Sequence, residues 1–306
     1  MSATQPGLFA LGTRDHSYLE FDLRPEADPE GFVRAACAAV ADLTTTGGVD
    51  VVLGVRPSLW ARTADAADVP ADVEDFDDPV VGPDGITMPA TQHDAWLWIA
   101  GADRTPVFDA GRTAVAAVTD HAVVATETTG WHYGGDRDLT GFIDGTENPH
   151  LLDAPGVVAI PDGRPGAGAS VLLFQLWRHH TDAWEAQGTE RQEQAMGRTK
   201  ADSTEFPADR MPADAHVART KVHRDGEELD IFRRNVAYGG LGEHGTVFVG
   251  FAADQFRMAQ MLRQMAGVGD GIRCALTRYV TALTGAWYVV PSVQALRRIA
   301  PAPADD

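Results

Sequence analysis

SYLEFDLRPEADPEGFVRAACAAVADLT, residues 17–44, changes period part-way along its length. Over SYLEFDL the side chains alternate as they do in a half-buried strand. From Asp28 onward Phe32, Val33, Ala36, Cys37, Val40 and Leu43 recur at helical spacing, and Asp28 stands where an N-cap accepts backbone N–H groups. A strand feeding directly into a helix opens a βαβ unit.

The pattern continues outward from there. VDVVLGV (49–55) and DAWLWIAG (94–101) read as strands, RTPVFDAGRTAVAAVTDH (104–121) as a helix with proline near its start, and AVVATETTGW (122–131) as a further strand. The order β-α-β-β-α-β is that of the split βαβ, ferredoxin-like unit. ASVLLFQLWRH (169–179), TDAWEAQGTERQEQAMGR (181–198), GTVFVGFAA (245–253), DQFRMAQMLRQMAGV (254–268, stopped near Gly267 and Gly269) and a last strand around 285–290 repeat the plan. The expectation is an α+β protein of two tandem ferredoxin-like halves, residues 1–133 and 134–306, each with its own antiparallel sheet. A long insertion, about 187–245, falls inside the second half, and long insertions in compact folds are commonly functional.

Composition excludes several classes of function. The chain has 306 residues, 44% of them hydrophobic, which suffices for a sizeable core. Its formal net charge of −19 repels phosphate backbones and anionic membrane surfaces, so nucleic acid is not an expected partner. No run approaches the roughly 20 apolar residues of a membrane span, and the N-terminus lacks a basic, then apolar, leader pattern. Cys37 and Cys274 stand in apolar settings outside any CxxC pair and read as buried thiols in a reducing compartment. A cytoplasmic location is expected. ADAADVPADVEDFDDPVVGPDG (64–85) has the density of aspartates but not the glycine and glutamate spacing of a calcium loop, and reads as a solvated surface loop.

GDRDLTGFIDGTENPH, residues 135–150, fits neither strand nor helix. Its glycines and polar groups need another reason. In the insertion, MPADAHVART holds His216 after a proline turn, and LDIFRRNVAYGG holds Arg233 and Asn235 after the hairpin-like HRDGEE. Singly, each has a bland reading: a turn aspartate, a structural histidine, a salt-bridged arginine.

Together they carry a resemblance. LTGFIDGTENP (139–149), with its GxxDG pattern, closely resembles the signature of the dye-decolourising peroxidases, haem enzymes built from two ferredoxin-like halves, and looks most like their compact bacterial branch, P-type or class B. PATQHDAWLWIAG, QAMGRTKADSTEF, AHVART and FRRNVAYG resemble further segments of that family in the right order, from about residue 17 to 288.

The resemblance implies a peroxidase that reduces hydrogen peroxide and oxidises dyes, phenols or other small organic donors through a high-valent oxoferryl intermediate. It implies one haem b per chain in the C-terminal half. His216 matches the axial iron ligand, and Asp144, Arg233 and Asn235 match the distal catalytic positions. A carboxylate can shuttle the peroxide proton, and a guanidinium can stabilise charge on the departing oxygen. Gly145, Thr146, Glu147, Arg198 and Arg233 are expected around the haem, Arg198 as a propionate partner or in structural pairing. Gly141 and Gly145 would let the backbone turn tightly, with Asn148 and Pro149 fixing the turn. His132 is expected to be structural or a propionate neighbour, and Arg234, between the distal positions, departs from the commonest pattern.

The donors are less determined. Trp131, Tyr133, Trp177, Trp184, Tyr238, Trp287 and Tyr288 are relay candidates, most of them reading as core. Glu147, Glu205 and Glu228 could gather around Mn²⁺ as a further donor, solvated glutamates being the bland alternative. The alternative function is a haem-binding, iron-releasing protein without turnover, which would keep His216 and have no need of Asp144 and Arg233. The chain ends SVQALRRIAPAPADD without an Ile/Leu anchor, so a solvated tail, no encapsulation and a homo-oligomer are expected.

Overall fold

The chain is seen in a computed structural model that describes residues 2–41 and 48–301. At its centre are β1 (Asp15–Leu23), β2 (Val49–Val55), β3 (Ala95–Gly101), β4 (Ala122–Trp131), β5 (Ser170–His179), β6 (Val236–Gly239), β7 (His244–Ala252) and β8 (Ala286–Val290). The first half orders its strands β4-β1-β3-β2 and the second β8-β5-β7-β6, with all neighbours antiparallel. Both are the ferredoxin-like order.

The two sheets are not separate, which corrects the expectation of two self-contained halves. β6 pairs with β4 through Ala237↔Trp131 and Tyr238↔Gly130, and β8 pairs with β2 at Val289↔Val55. The sheets thereby close into a single barrel. The physical reason is the edge strand: β2, β4, β6 and β8 would each expose a row of unpaired N–H and C=O groups, and closure gives some of these groups partners.

The register explains the two-sided burial. All seven residues of β3 are buried. Trp96 and Trp98 fill the barrel with Tyr18, Phe174, Phe251 and Tyr288. Ala95, Leu97 and Ile99 pack on the other face, in one cluster with side chains of α1 (Pro29–Ala41) and α2 (Arg104–Val118). A strand apolar on both faces needs two covers, and a one-residue slip would exchange them. Asp28 caps α1 as expected, accepting from the N–H groups of Glu30 and Gly31 at 3.2 and 3.0 Å, while Leu43 lies outside the described residues.

In the second half the helix expected over 181–198 is broken in two, Thr181–Glu185 and α3 (Gly188–Met196), with Gly188 at φ +72° opening the second. His216 opens the one-turn helix α4 (His216–Thr220). HRDGEE does form a hairpin, His223–Arg224 against Glu227–Glu228, with Asp225 and Gly226 at positive φ as a two-residue primed turn requires. α5 (Gln255–Met265) packs Met258, Met261, Leu262 and Met265 with Leu173 and Trp177 of β5, and Gly267 at φ +74° follows its end.

The acidic segment 64–85 is anchored rather than free: Asp75 accepts from Arg56 Nε at 2.7 Å, Asp68 pairs with Arg298, and Phe76 is buried. Among the described residues it forms no metal-binding group. Cys37 and Cys274 are buried free thiols, as expected. No described helix is long and apolar enough to cross a membrane. Residues 302–306, the end of the expected tail, lie outside the described residues.

Candidate active site

The loop that carries Asp144 is held by long-range bonds. Gly141 and Gly145 have φ of +85° and +75°, the left-handed turns expected of them. Arg137 donates to the carbonyls of Gly141, Lys200 and Ala201 at 2.7, 2.8 and 3.0 Å, and Trp184 Nε1 donates to the Thr140 carbonyl at 2.9 Å. The Asp144 carboxylate accepts from the N–H of Gly145 at 2.7 Å.

Asn148 does more than close this turn. Its amide Nδ2 donates to the Arg233 carbonyl and its Oδ1 accepts from the Arg233 N–H, both at 2.9 Å. Across from it, the strand 232–239 runs along β7 with an interruption. Phe232 and Arg233 pair with Phe251 and Gly250, pairing resumes at Val236, and between them Asn235 Oδ1 accepts from the Val249 N–H at 3.2 Å. That bond occupies the amide oxygen and leaves the NH₂ for the cavity. Arg234, on the opposite face, lies over the Trp98 ring, 5.2 Å from its centroid, and donates to the Leu8 carbonyl at 2.9 Å.

His216 is positioned by its own short helix. Arg219, three residues on, donates to Asp270 at 2.7 and 3.0 Å and to the Gln264 carbonyl, which ties α4 to the end of α5. Burial, reinforced by the positive charges of Arg233 and Arg198, lowers the His216 imidazole to about 4. The ring is neutral at pH 7, as an iron ligand must be.

A cavity of about 1380 Å³, a volume that takes in solvent at its open mouth, is lined by all the expected site residues: Asp144, Gly145, Thr146, Glu147, Arg198, His216, Arg233 and Asn235. The rest of its wall is mainly apolar, including Phe142, Ile231, Phe248, Met261, Leu262 and Leu276. A second, polar cavity lined by Arg14, His16, His132 and Tyr133 shares Asp144, Arg233 and Asn235 with the first, together with Asp138, Gly145 and Thr246, whereas His216 belongs to the first alone. Asp144, Arg233 and Asn235 therefore stand where the two spaces meet.

Haem fits this site. Arg233 Nε and Gln175 Nε2 are buried without a hydrogen-bond partner among the described residues, and both residues line the cavity. Such polar atoms in an apolar space are what a charged, flat ligand would satisfy. Among the described residues no group of three or more His, Cys, Asp or Glu is placed to hold a bare ion; a haem iron takes its equatorial ligands from the macrocycle and asks the protein for an axial side chain such as histidine.

Other expected residues are placed differently. Arg198 lines the cavity, but its guanidinium donates to Thr146 Oγ1 at 2.7 Å and pairs with Glu147 and, at 3.4 Å, Glu205. Glu205 also accepts from Lys221 at 2.8 Å. Glu228 is exposed on the hairpin and also lines the cavity. His132 is exposed at the second cavity. Of the relay candidates Trp177, Trp184, Tyr238, Trp287 and Tyr288 are core, while Trp131 and Tyr133 are exposed.

Two groups escaped the sequence reading. Asp138 lines both cavities, and burial, together with the Asp144 charge, raises its carboxyl to about 6. Its place in RDLTGF, six residues before Asp144, was the available signal. Cys274 Sγ lies 3.5 Å from His216 Nδ1. The apolar run IRCALT gives no sign of that.

Two family models cover nearly the whole chain: Dyp-type peroxidase, N-terminal, over residues 5–132, and Dyp-type peroxidase, C-terminal, over residues 135–295. The chain belongs to the dye-decolorizing peroxidase family. Members of this family are haem-dependent peroxidases. The chain is 35% identical to a dye-decolorizing peroxidase of Brevibacterium linens over 79% of its own length and 66% of that relative's, just under two thirds. A DypB variant of Rhodococcus jostii RHA1 in complex with heme is 33% identical, with a TM-score of 0.84 over 93% of this chain and 95% of that one. A DypB variant in complex with manganese is likewise 33% identical, with a TM-score of 0.84 over 94% and 97%.

Proposed function

We propose that this chain is a working haem peroxidase: it consumes hydrogen peroxide and oxidises dyes, phenols and similar small organic donors, with one haem b in the C-terminal half, residues 134–306. The observation that carries the reading is the shared position of Asp144, Arg233 and Asn235 at the junction of the two cavities, with His216 inside the first. When bound, the haem supplies a ferric iron that binds and activates peroxide. His216 would hold the iron through a neutral ring nitrogen. Asp144 takes the proton of peroxide arriving through the polar cavity and returns it to the departing oxygen. Arg233 supplies fixed positive charge where negative charge develops, and the Asn235 NH₂ adds a donor. Thr146, Glu147 and Arg198 form the wall beside them, Arg198 acting chiefly by holding Glu147 and Thr146 in place.

An iron-releasing, non-turning-over haem protein would need His216 but not a carboxylate and a guanidinium at the mouth of a polar channel. Two buried free thiols suit the cytoplasm, and exposed Leu152 and Leu241 suit self-association into a homo-oligomer.

The test is spectroscopic. The purified holoprotein is expected to show a Soret band and a rapid spectral change with stoichiometric peroxide. His216→Ala loses stable haem, while Asp144→Ala and Arg233→Leu keep it and slow the peroxide step by about 10²-fold or more. A normal five-coordinate ferric spectrum in His216→Ala, or an unchanged peroxide step in both distal variants, overturns the assignment.

A further inference from the structure

We propose that Cys274 is the residue that tunes His216: its thiol sulfur, in place of a carboxylate, receives the ring N–H on the side away from the iron. The proposal rests on the reading of His216 as the axial ligand.

A metal-bound imidazole ordinarily donates its second N–H to a carboxylate, a backbone carbonyl or water. Here Nδ1 faces Cys274 Sγ at 3.5 Å, within the range of a sulfur hydrogen bond, and the ring has no other side-chain hydrogen bond among the described residues. Cys274 is fully buried and does not line the cavity, so Nε2 is the nitrogen left for the iron. The nearby carboxylates are engaged elsewhere, Asp270 by Arg219 at 2.7 Å and Asp214 by Arg278 at 3.2 Å.

Both ends of the contact are pinned. The Ala275 N–H donates to the Asp214 carbonyl at 2.7 Å, two residues before His216, and the Cys274 N–H donates to the Met265 carbonyl at 2.9 Å. The Cys274 carbonyl accepts from Thr277 Oγ1 at 2.6 Å. Sulfur therefore meets the ring because the backbone sets it there.

Thiol sulfur is a weak acceptor. It pulls the Nδ1 proton less than a carboxylate does and gives His216 less imidazolate character. The ring then donates less charge to iron, and the ferric state is favoured less over the ferrous. Cys274 is a positioning residue, acting through His216 on the iron.

The experiment compares wild type, Cys274→Ala, Cys274→Ser and Cys274→Asp as haem-loaded full-length protein. It reads the ferric/ferrous midpoint potential and the iron–histidine stretching frequency by resonance Raman. The stretching frequency is expected to rise, and the potential to fall, in the order Ala, wild type, Ser, Asp, following acceptor strength. Should the buried aspartate prevent folding, the Ala-to-Ser series carries the same ordering. Absence of any iron–histidine band in the wild type defeats the axial-ligand reading itself. A band that is present but does not move, with the potential constant across the series, overturns the role of Cys274 and leaves that reading intact.

Discussion

The side-chain amide of Asn148 makes both backbone hydrogen bonds to Arg233, each 2.9 Å long, and so behaves as a strand edge reaching across 85 residues of sequence. It fixes the separation between the loop of Asp144 and the strand of Arg233, the two groups that the proposed chemistry needs together. Asn148→Ala leaves two partly buried backbone groups unpaired, a cost of about 1–3 kcal/mol for each one that water fails to satisfy. A misplacement of about 1 Å between reacting groups can cost about 10²-fold in rate. The variant is therefore expected to bind haem, melt earlier and lose one to two orders of magnitude in the peroxide step. Stopped-flow mixing with peroxide measures this, and a wild-type rate in a fully loaded variant refutes the coupling.

Acid is expected to destabilise the apoprotein. Burial lowers His16, His179 and His216 each to about 4, aided by the charges of Arg234, His244 and Arg233 respectively. Between pH 6.5 and 4 the unfolded chain binds protons that the folded chain refuses, so stability is full above about 6.5 and falls as pH drops. Each histidine contributes at most about 3 kcal/mol to that loss. Asp138, raised to about 6, works the other way: its folded carboxyl takes a proton before the unfolded one, which adds at most about 3 kcal/mol on acidification. Glu20 and Asp50, raised by burial, act with Asp138, while Asp75 and Glu147, held low, act with the three histidines, which dominate. Denaturant melts at pH 7.5, 5.5 and 4.5 should show a monotonic loss, steeper in Asp138→Asn, and stability that rises towards acid contradicts the account.

What the sequence discloses depends on how local the cause is. Asp28, Gly267 and the alternation in β1 act within a few residues, so α1, the end of α5 and the order of strands could be read directly. Barrel closure rests on Val55 meeting Val289 and Gly130 meeting Tyr238, contacts with no local signal. Its trace is AWLWIAG, apolar on both faces. The break at Gly188 escaped because a single glycine is tolerated inside helical spacing. The cavity residues were legible through one dense motif and ordered segments. The reach of Asn148 to Arg233, the Arg198–Glu147 pair and the sulfur under His216 are consequences of folding, and chemically ordinary residue types do not advertise them.

Trp131 and Tyr133 are the relay candidates with exposed rings, 5.8 Å apart, and Tyr133 lines the polar cavity. A dye too large for the cavity can meet them at the surface. Replacing both by Phe and Leu is expected to cut kcat for bulky dyes several-fold while small phenols and the peroxide step stay unchanged. Equal losses for small and bulky donors count against a surface route.

Manganese faces a different obstacle. Glu147, Glu205 and Glu228 all bear on the Lys221 ammonium, which sits 2.8 Å from Glu205, and Arg198 takes Glu147 and the other Glu205 oxygen. The place a divalent ion would take among them is thus occupied by two fixed cations. Two unit charges 4 Å apart interact by about 1 kcal/mol in water and about 4 kcal/mol near a protein surface, and a divalent ion doubles either figure. Wild type is therefore expected to bind Mn²⁺ weakly here, and Lys221→Gln to bind it at least about tenfold more tightly, since one tenfold step corresponds to about 1.4 kcal/mol. Electron paramagnetic resonance titration of free Mn²⁺ against both holoproteins reads the difference. Tight binding by the wild type, unchanged in Lys221→Gln, would show that these glutamates accept a metal despite their cations.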